Sequence, residues 1–327
     1  MSVILAPVIQ ELSFLRTDLS LLAERYTVRE VRSRTPREML AILAQVPSAD
    51  LVFCWFGSLR FLPVVALARL LGKPVAIVTG GYDVAAEHAI GYGNMRGGVT
   101  AWLGRLVLRL ATLCLPYSEA GQDETTRNAR IPLAKQRLIY LGFAPEAPPP
   151  DRPRKRQAVT VGRIDASTIH RKGILTVARM GRLAPDIEVV IAGKADPEPL
   201  AELQAAAGPN VRFTGFISDA DLRTLLQESA VYVQASIHEA FGCALAEGML
   251  EGCVPVVTRQ GSLPEVVGDT GAYVPPDDPA ALAAAVRQMI DQPPGGPEGP
   301  RARIERLYSL DRRRQALHAV IDELLAD

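Results

Sequence analysis

Short runs of β-branched and aliphatic residues recur along this chain, each followed by a longer stretch of helical spacing, and the alternation is laid out twice. In the first half the runs are Val3 to Ala6, Leu51 to Trp55, Val75 to Thr79 and Leu113 to Tyr117. In the second they are Ala158 to Val161, Glu188 to Ala192, Val211 to Thr214, Val231 to Gln234 and Pro255 to Thr258. A strand apolar on both faces must be covered on both, so the pattern predicts parallel sheets wrapped by helices. Helices are expected over Ile174 to Leu183, Asp219 to Glu228, Ala244 to Leu250, Pro279 to Gln292 and Leu310 to Leu325.

Between the two sets, Phe143 to Gln157 carries five prolines and the basic cluster Arg152, Arg154, Lys155 and Arg156, the composition of a linker. The expected domains are residues 1–147 and 155–300, with a last helix at about 310–327 able to pack back on the first. Val99 to Leu110 sets Val99, Trp102, Leu103, Leu106, Val107 and Leu110 on one helical face. Core packing is the preferred reading of that face, and docking on a membrane the second.

The 36 basic and 36 acidic side chains cancel, so the chain lacks the charge excess of a nucleic-acid binder. Cys54, Cys114, Cys243 and Cys253 make no CxxC pair, which leaves a disulfide scaffold or a zinc knuckle without support. No basic stretch precedes the first apolar residues, and no run approaches the roughly 18 apolar residues of a membrane span. A soluble, cytoplasmic protein is expected, with peripheral contact at an inner membrane surface left open.

In open parallel sheets, ligands sit beyond the carboxyl ends of the strands. Two such loops carry chemistry. Ser236 to Pro255 reads SIHEAFGCALAEGMLEGCVP, entering a helix near Cys243, with Glu239 in the loop and Glu247 eight residues on. Two carboxylates suit sugar hydroxyls, while the free N–H groups of Cys243 and Ala244 beside Phe241 and Gly242 suit phosphate. Val161 to Gly173 reads VGRIDASTIHRKG and places Arg163, next to Gly162, and Lys172 where a diphosphate could be neutralised. Taken singly, each of these residues also fits a solvated surface or a helix-dipole role.

In their order and spacing these motifs resemble the retaining glycosyltransferases of the two-domain GT-B fold, specifically family 4. The resemblance continues through Gly252, Pro255 and GSLPEVVG at Gly261 to Gly268, and covers roughly the stretch from Gly162 onward. It implies two Rossmann-like doubly wound parallel-sheet domains facing a cleft. Arg163 and Lys172 would then hold the donor diphosphate, Glu239 with the Phe241 to Ala244 backbone the sugar, Glu247 the ribose, and Phe216 and Ile217 the base. Retention of configuration without a metal is implied too, with the leaving phosphate taking the acceptor proton, so no cofactor beyond a nucleoside-diphosphate sugar is expected. The acceptor is a sugar, a lipid-linked group or a small molecule.

The first half is similar to a bacterial subgroup through Trp55-Phe56, Gly80-Gly81-Tyr82-Asp83 and Gly91-Tyr92-Gly93, although Pro7 to Phe14 replaces a glycine-rich loop of many relatives. Asp83 is the candidate in this half for touching sugar or acceptor, with a turn aspartate bonding its own backbone as an equal alternative. His88, Gly80 and Gly81 are weaker cleft candidates. Asp219-Ala220-Asp221 imitates a metal-binding DxD motif, but it follows Ser218 and opens a helix, so capping accounts for it. His238-Glu239 lacks the second histidine of a zinc motif. A nucleotide-sugar epimerase or hydrolase and a non-catalytic nucleotide-sugar binder are the alternative functions.

Overall fold

Leu51–Trp55 and Val75–Thr79 are strands buried along their whole length, as continuous apolar runs require when helices cover both faces of a sheet. The computed structural model describes residues 1–9, 12–144, 147–150, 153–294 and 299–326. The chain divides into two compact units, one of Met1–Gly142 with Leu310–Asp327, the other of Phe143–Ser309.

The first unit runs β1 (Val3–Val8), α1 (Ser13–Ala23), β2 (Thr27–Arg32), α2 (Pro36–Gln45), β3 (Leu51–Trp55), α3 (Leu62–Leu70), β4 (Val75–Thr79), α4 (Gly98–Leu110), β5 (Leu113–Pro116) and α5 (Glu119–Arg127). Its strands form a parallel sheet in the order β2-β1-β3-β4-β5. The edge strand β2 reads TVREVR and is largely solvated, so the apolar signal that marks the inner strands is missing from it.

The second unit runs β6 (Lys155–Val161), α6 (Thr168–Arg171), α7 (Ile174–Leu183), β7 (Glu188–Ala192), α8 (Pro197–Ala206), β8 (Val211–Gly215), α9 (Asp219–Glu228), β9 (Ser229–Gln234), α10 (Cys243–Leu250), β10 (Val254–Thr258), α11 (Leu263–Val267), β11 (Ala272–Val274), α12 (Pro279–Asp291) and α13 (Pro300–Leu307). Its parallel order is β11-β10-β9-β6-β7-β8. Chain order therefore reverses between the neighbours β6 and β9, the switch point at which ligands sit in open parallel sheets. Val189, Ile191, Val231 and Val233 of the sheet pack with Val177 and Met180 of α7 and Leu282 and Val286 of α12.

The last helix, α14 (Leu310–Ala326), belongs to the first unit and is locked there by one buried ion pair. Arg313 is 3% exposed and Asp18 fully buried; Nε and Nη2 each donate to an Asp18 oxygen at 2.6 Å. Arg313 Nη1 donates to the carbonyls of Ile139 and Tyr140, and the Trp55 indole N–H donates to Asp18 at 3.0 Å. With every charge partnered, removing either side chain would cost about 3–5 kcal/mol.

Two expectations are corrected. Arg154, Lys155 and Arg156 are not linker residues: Arg154 donates to the carbonyls of Leu226, Ser229 and Glu251, and Lys155 and Arg156, in β6, pair with Glu228, Asp186 and Asp291. Arg152, like Gln10 and Glu11 of the Pro7 to Phe14 segment, lies outside the described residues. The apolar face expected of α4 joins the core only in part, through Val107 and Leu110. Ala101, Gly104, Val107 and Leu108 are buried, while Val99 and Trp102 are 73% and 60% exposed. Among the described residues no helix is long and apolar enough to cross a membrane.

Candidate functional site

The loops after β6 and β9, the two strands at the reversal, are pressed together by glycine. Gly173 has φ +65°, and a Cβ there would lie 1.9 Å from the Ala235 carbonyl oxygen. The Ile237 N–H donates to the Arg171 carbonyl at 2.8 Å across the same seam. On the other side Gly193, at φ +144°, would put a Cβ 2.0 Å from the Gly162 carbonyl oxygen. Only glycine fits such contacts in such conformations, which fixes the three strand ends as one surface.

Arg163 follows Gly162 and reaches outward, its Nε 3.0 Å from Asp165 and its Nη2 2.8 Å from Asp196. Asp165 is partly buried, which opposes its charge, yet bonds from Ser167 and Thr168 hold its carboxyl below the ordinary value. The Lys172 side chain lies over the end of β6: a Cβ on Gly162 would be 3.5 Å from its Cδ and 4.0 Å from its Nζ.

Glu239 is 9% exposed and held in place. Its Oε2 accepts from Gln234 Nε2 at 2.9 Å and Ser236 Oγ at 3.3 Å, and its carbonyl accepts the N–H and hydroxyl of Ser262. Gly242, at φ +90°, then turns the chain into α10, whose first N–H groups have no side-chain cap. The Phe241 side chain is not available to a ligand: it is 2% exposed, stacked on Phe143 at 5.7 Å and edge-on to Tyr308 at 5.3 Å. It anchors the loop, leaving only its main chain for the role the motif suggested.

The charges converge on Cys243, the first residue of α10. Its thiol is pushed up to about 12, first by burial and then by Glu247 and Glu239, while Lys172 pulls the other way. The Glu247 carboxyl is open to solvent yet crowded by protein, and this desolvation, with the charge of Asp219 second, raises it to about 7. Asp219 starts α9, directly after the loop of Phe216 and Ile217 at the end of β8. Phe216 is 81% exposed there, while Ile217 is partly buried. Ser218 Oγ accepts the Asp221 N–H at 3.1 Å and donates to its carboxylate, so the DxD-like triplet is a helix start.

In the first unit Asp83 bonds the backbone of its own turn, as the alternative reading expected. It is 3% exposed, with Oδ2 accepting the Gly57 N–H at 2.9 Å and Oδ1 the Gly80 N–H at 3.1 Å. Burial raises its carboxyl to about 7 against those bonds. Gly80 and Gly81 shape the same turn, at φ +151° and +77°, and a Cβ on Gly80 would strike the Tyr117 ring at 2.5 Å. His88 is exposed, its Nε2 3.0 Å from the Arg96 carbonyl. Sequence reasoning passed over Gln234, Ser236, Asp165 and Asp196. A polar Gln closing the apolar strand Ser229–Gln234 was the available signal for the first of them.

Two Rossmann-like parallel-sheet units, the second with cations and paired carboxylates at its chain reversal, define the fold class called GT-B. Residues 155–292, all within the second unit, match the family described as glycosyl transferases group 1. A glycogen synthase of Mycobacterium tuberculosis is 30% identical over 263 residues, 76% of this chain and 62% of that protein. The alpha-D-kanosaminyltransferase of Streptomyces kanamyceticus is 26% identical over 256 residues, 72% of this chain and 66% of its own length. This chain thus spans just under two thirds of either relative. Anabaena HepE, solved in complex with UDP and glucose, has a TM-score of 0.79 across 99% of this chain and 100% of that one, a likeness of fold at 13% identity.

Proposed function

We propose that the chain is a family 4 glycosyltransferase that moves a sugar from a nucleoside diphosphate to an acceptor hydroxyl with retention of configuration and without a metal. The observation that carries this reading is the seam at the chain reversal that holds the loop of Arg163 and Lys172 against the loop of Glu239, which leads into the uncapped start of α10. Arg163, Lys172 and the N–H groups of Cys243 and Ala244 supply the positive field that stabilises a departing diphosphate. Glu239, held by Gln234 and Ser236, accepts from the transferred sugar's hydroxyls. Glu247 accepts from the ribose, and Phe216 offers an apolar plate for the base.

In the reaction the bond from the anomeric carbon to the phosphate oxygen breaks and a bond from the acceptor oxygen forms on the same face. The acceptor proton passes to the leaving phosphate. Rate then depends on charge stabilisation and alignment rather than on a protein base. Incubating the chain with UDP-, GDP- and ADP-sugars and a panel of sugar and lipid-linked acceptors, in chelator, tests it by product mass and anomeric NMR. A glycosylated acceptor of unchanged anomeric configuration is expected. Free sugar alone, or an epimerised donor, would contradict transfer, and dependence on added divalent metal would contradict the metal-free part.

A further inference from the structure

Helix α4 buries Ala101, Gly104, Val107 and Leu108 in its own domain and leaves two large apolar side chains, Val99 and Trp102, outside. Val99 and Trp102 are 73% and 60% exposed, while Leu103, Leu106 and Leu110 beside them are partly buried, Leu110 against the core. Arg105 and Arg109 stand on the same helix, and further cations surround them. Partial burial and then the charges of Arg130 and Arg109 hold the Arg105 guanidinium below its ordinary value. Lys135 Nζ donates to the Arg109 carbonyl at 2.7 Å and is itself lowered, after desolvation, by Arg69. Among the described residues no carboxylate is in ion-pair contact with Arg69, Arg105, Arg109, Arg130 or Lys135. Val99 and Trp102, with cations on the same helix and around it that no described carboxylate pairs, are therefore left in water.

We propose that this face of α4 seats the protein on an anionic lipid bilayer, Trp102 and Val99 entering the headgroup layer and the cations meeting lipid phosphates. A headgroup layer offers negative charge at the depth of the arginines and apolar chains beneath it, which complements both parts of the face. Tryptophan is favoured at that boundary because its ring is apolar and its N–H polar. A second copy of the chain is the poorer occupant, since a symmetric contact would set like charges against each other. The inference concerns the first unit alone and does not depend on the proposed reaction.

The test is co-sedimentation of the full chain with vesicles of phosphatidylcholine alone or mixed with phosphatidylglycerol, followed by tryptophan fluorescence. Trp55 is 5% exposed, so a change in emission reports Trp102. Binding to the anionic vesicles only, weakened by salt and with a blue-shifted emission, is expected. The Arg105→Gln/Arg109→Gln pair, which keeps Val99 and Trp102, should weaken binding about tenfold. Trp102→Glu should abolish it, with thermal midpoints confirming that both variants fold. Leu40→Glu, on α2 and 67% exposed, should bind as the parent does. Failure to sediment with anionic vesicles, undiminished binding by Trp102→Glu, or a Trp102-dependent dimer that ignores vesicles would each overturn the proposal.

Discussion

Arg163 Nη2 lies 2.8 Å from Asp196 Oδ1, so the guanidinium proposed to grip a diphosphate is already engaged by a carboxylate. Asp165 holds its Nε from the other side. A diphosphate arriving at Arg163 must compete with these oxygens. Both side chains of the Arg163–Asp196 pair are about half exposed, so the pair contributes at most about 1 kcal/mol. Asp196→Ala is expected to tighten nucleotide-sugar binding by up to about fivefold, read by calorimetry. Unchanged or weaker binding would show that Asp196 orients the fork rather than occupying it.

Glu247 sets a pH dependence. Its carboxyl is raised from 4.5 to about 7, so the folded chain binds a proton that the unfolded chain releases between those values. The contribution of this group to folding stability accordingly falls as pH rises from about 4.5 to 7. Donor binding runs the opposite way, because ribose hydroxyls donate to the ionised form. Affinity for a nucleotide sugar, whose phosphates are already ionised, should rise between pH 6 and 8 and level off above. Glu247→Gln should flatten the profile; a profile that persists in this variant would assign the titration to another group.

Asp83 separates a structural role from a chemical one. Removing a buried acceptor that serves two backbone N–H groups should cost about 1–3 kcal/mol. Asp83→Ala is thus expected to lower the thermal midpoint while leaving the donor dissociation constant unchanged, since donor binding is assigned to the second unit. A variant with a parental midpoint and no transfer activity would mark Asp83 as a substrate contact.

Gly173→Ala should disturb the site from below. The added methyl would meet the Ala235 carbonyl oxygen at 1.9 Å in a backbone conformation that costs a non-glycine residue about 1–2 kcal/mol. The two loops must part, moving Lys172 relative to Glu239. Weaker donor binding together with a lower midpoint is expected; parental values for both would mean that the seam between β6 and β9 does not set the site.

What could be read in advance follows from where each signal resides. Leu51–Trp55, Val75–Thr79 and Glu188–Ala192 were legible because central parallel strands are apolar on both faces. Thr27–Arg32 was not, because an exposed edge strand alternates like a charged loop. Periodicity showed that Val99 to Leu110 has an apolar face but not how much of it reaches the core, since burial also depends on the small residues opposite. Of the candidate site, the spacing of Glu239, Glu247, Arg163 and Lys172 was legible. Asp83 and Phe241 did not reveal that they face inward, because burial of a loop side chain is decided by residues distant in sequence, such as Gly57 and Phe143.

The central claim, a donor site at the chain reversal of the second unit, is tested most directly by calorimetric titration of UDP, GDP, ADP and their sugar conjugates in chelator. Parent, Arg163→Ala and Glu247→Ala proteins of matched folding should be compared. Saturable binding of one nucleotide family by the parent, weakened at least about tenfold in each variant, is the predicted result. Binding by none of them, or equal binding by parent and both variants, would contradict the assignment.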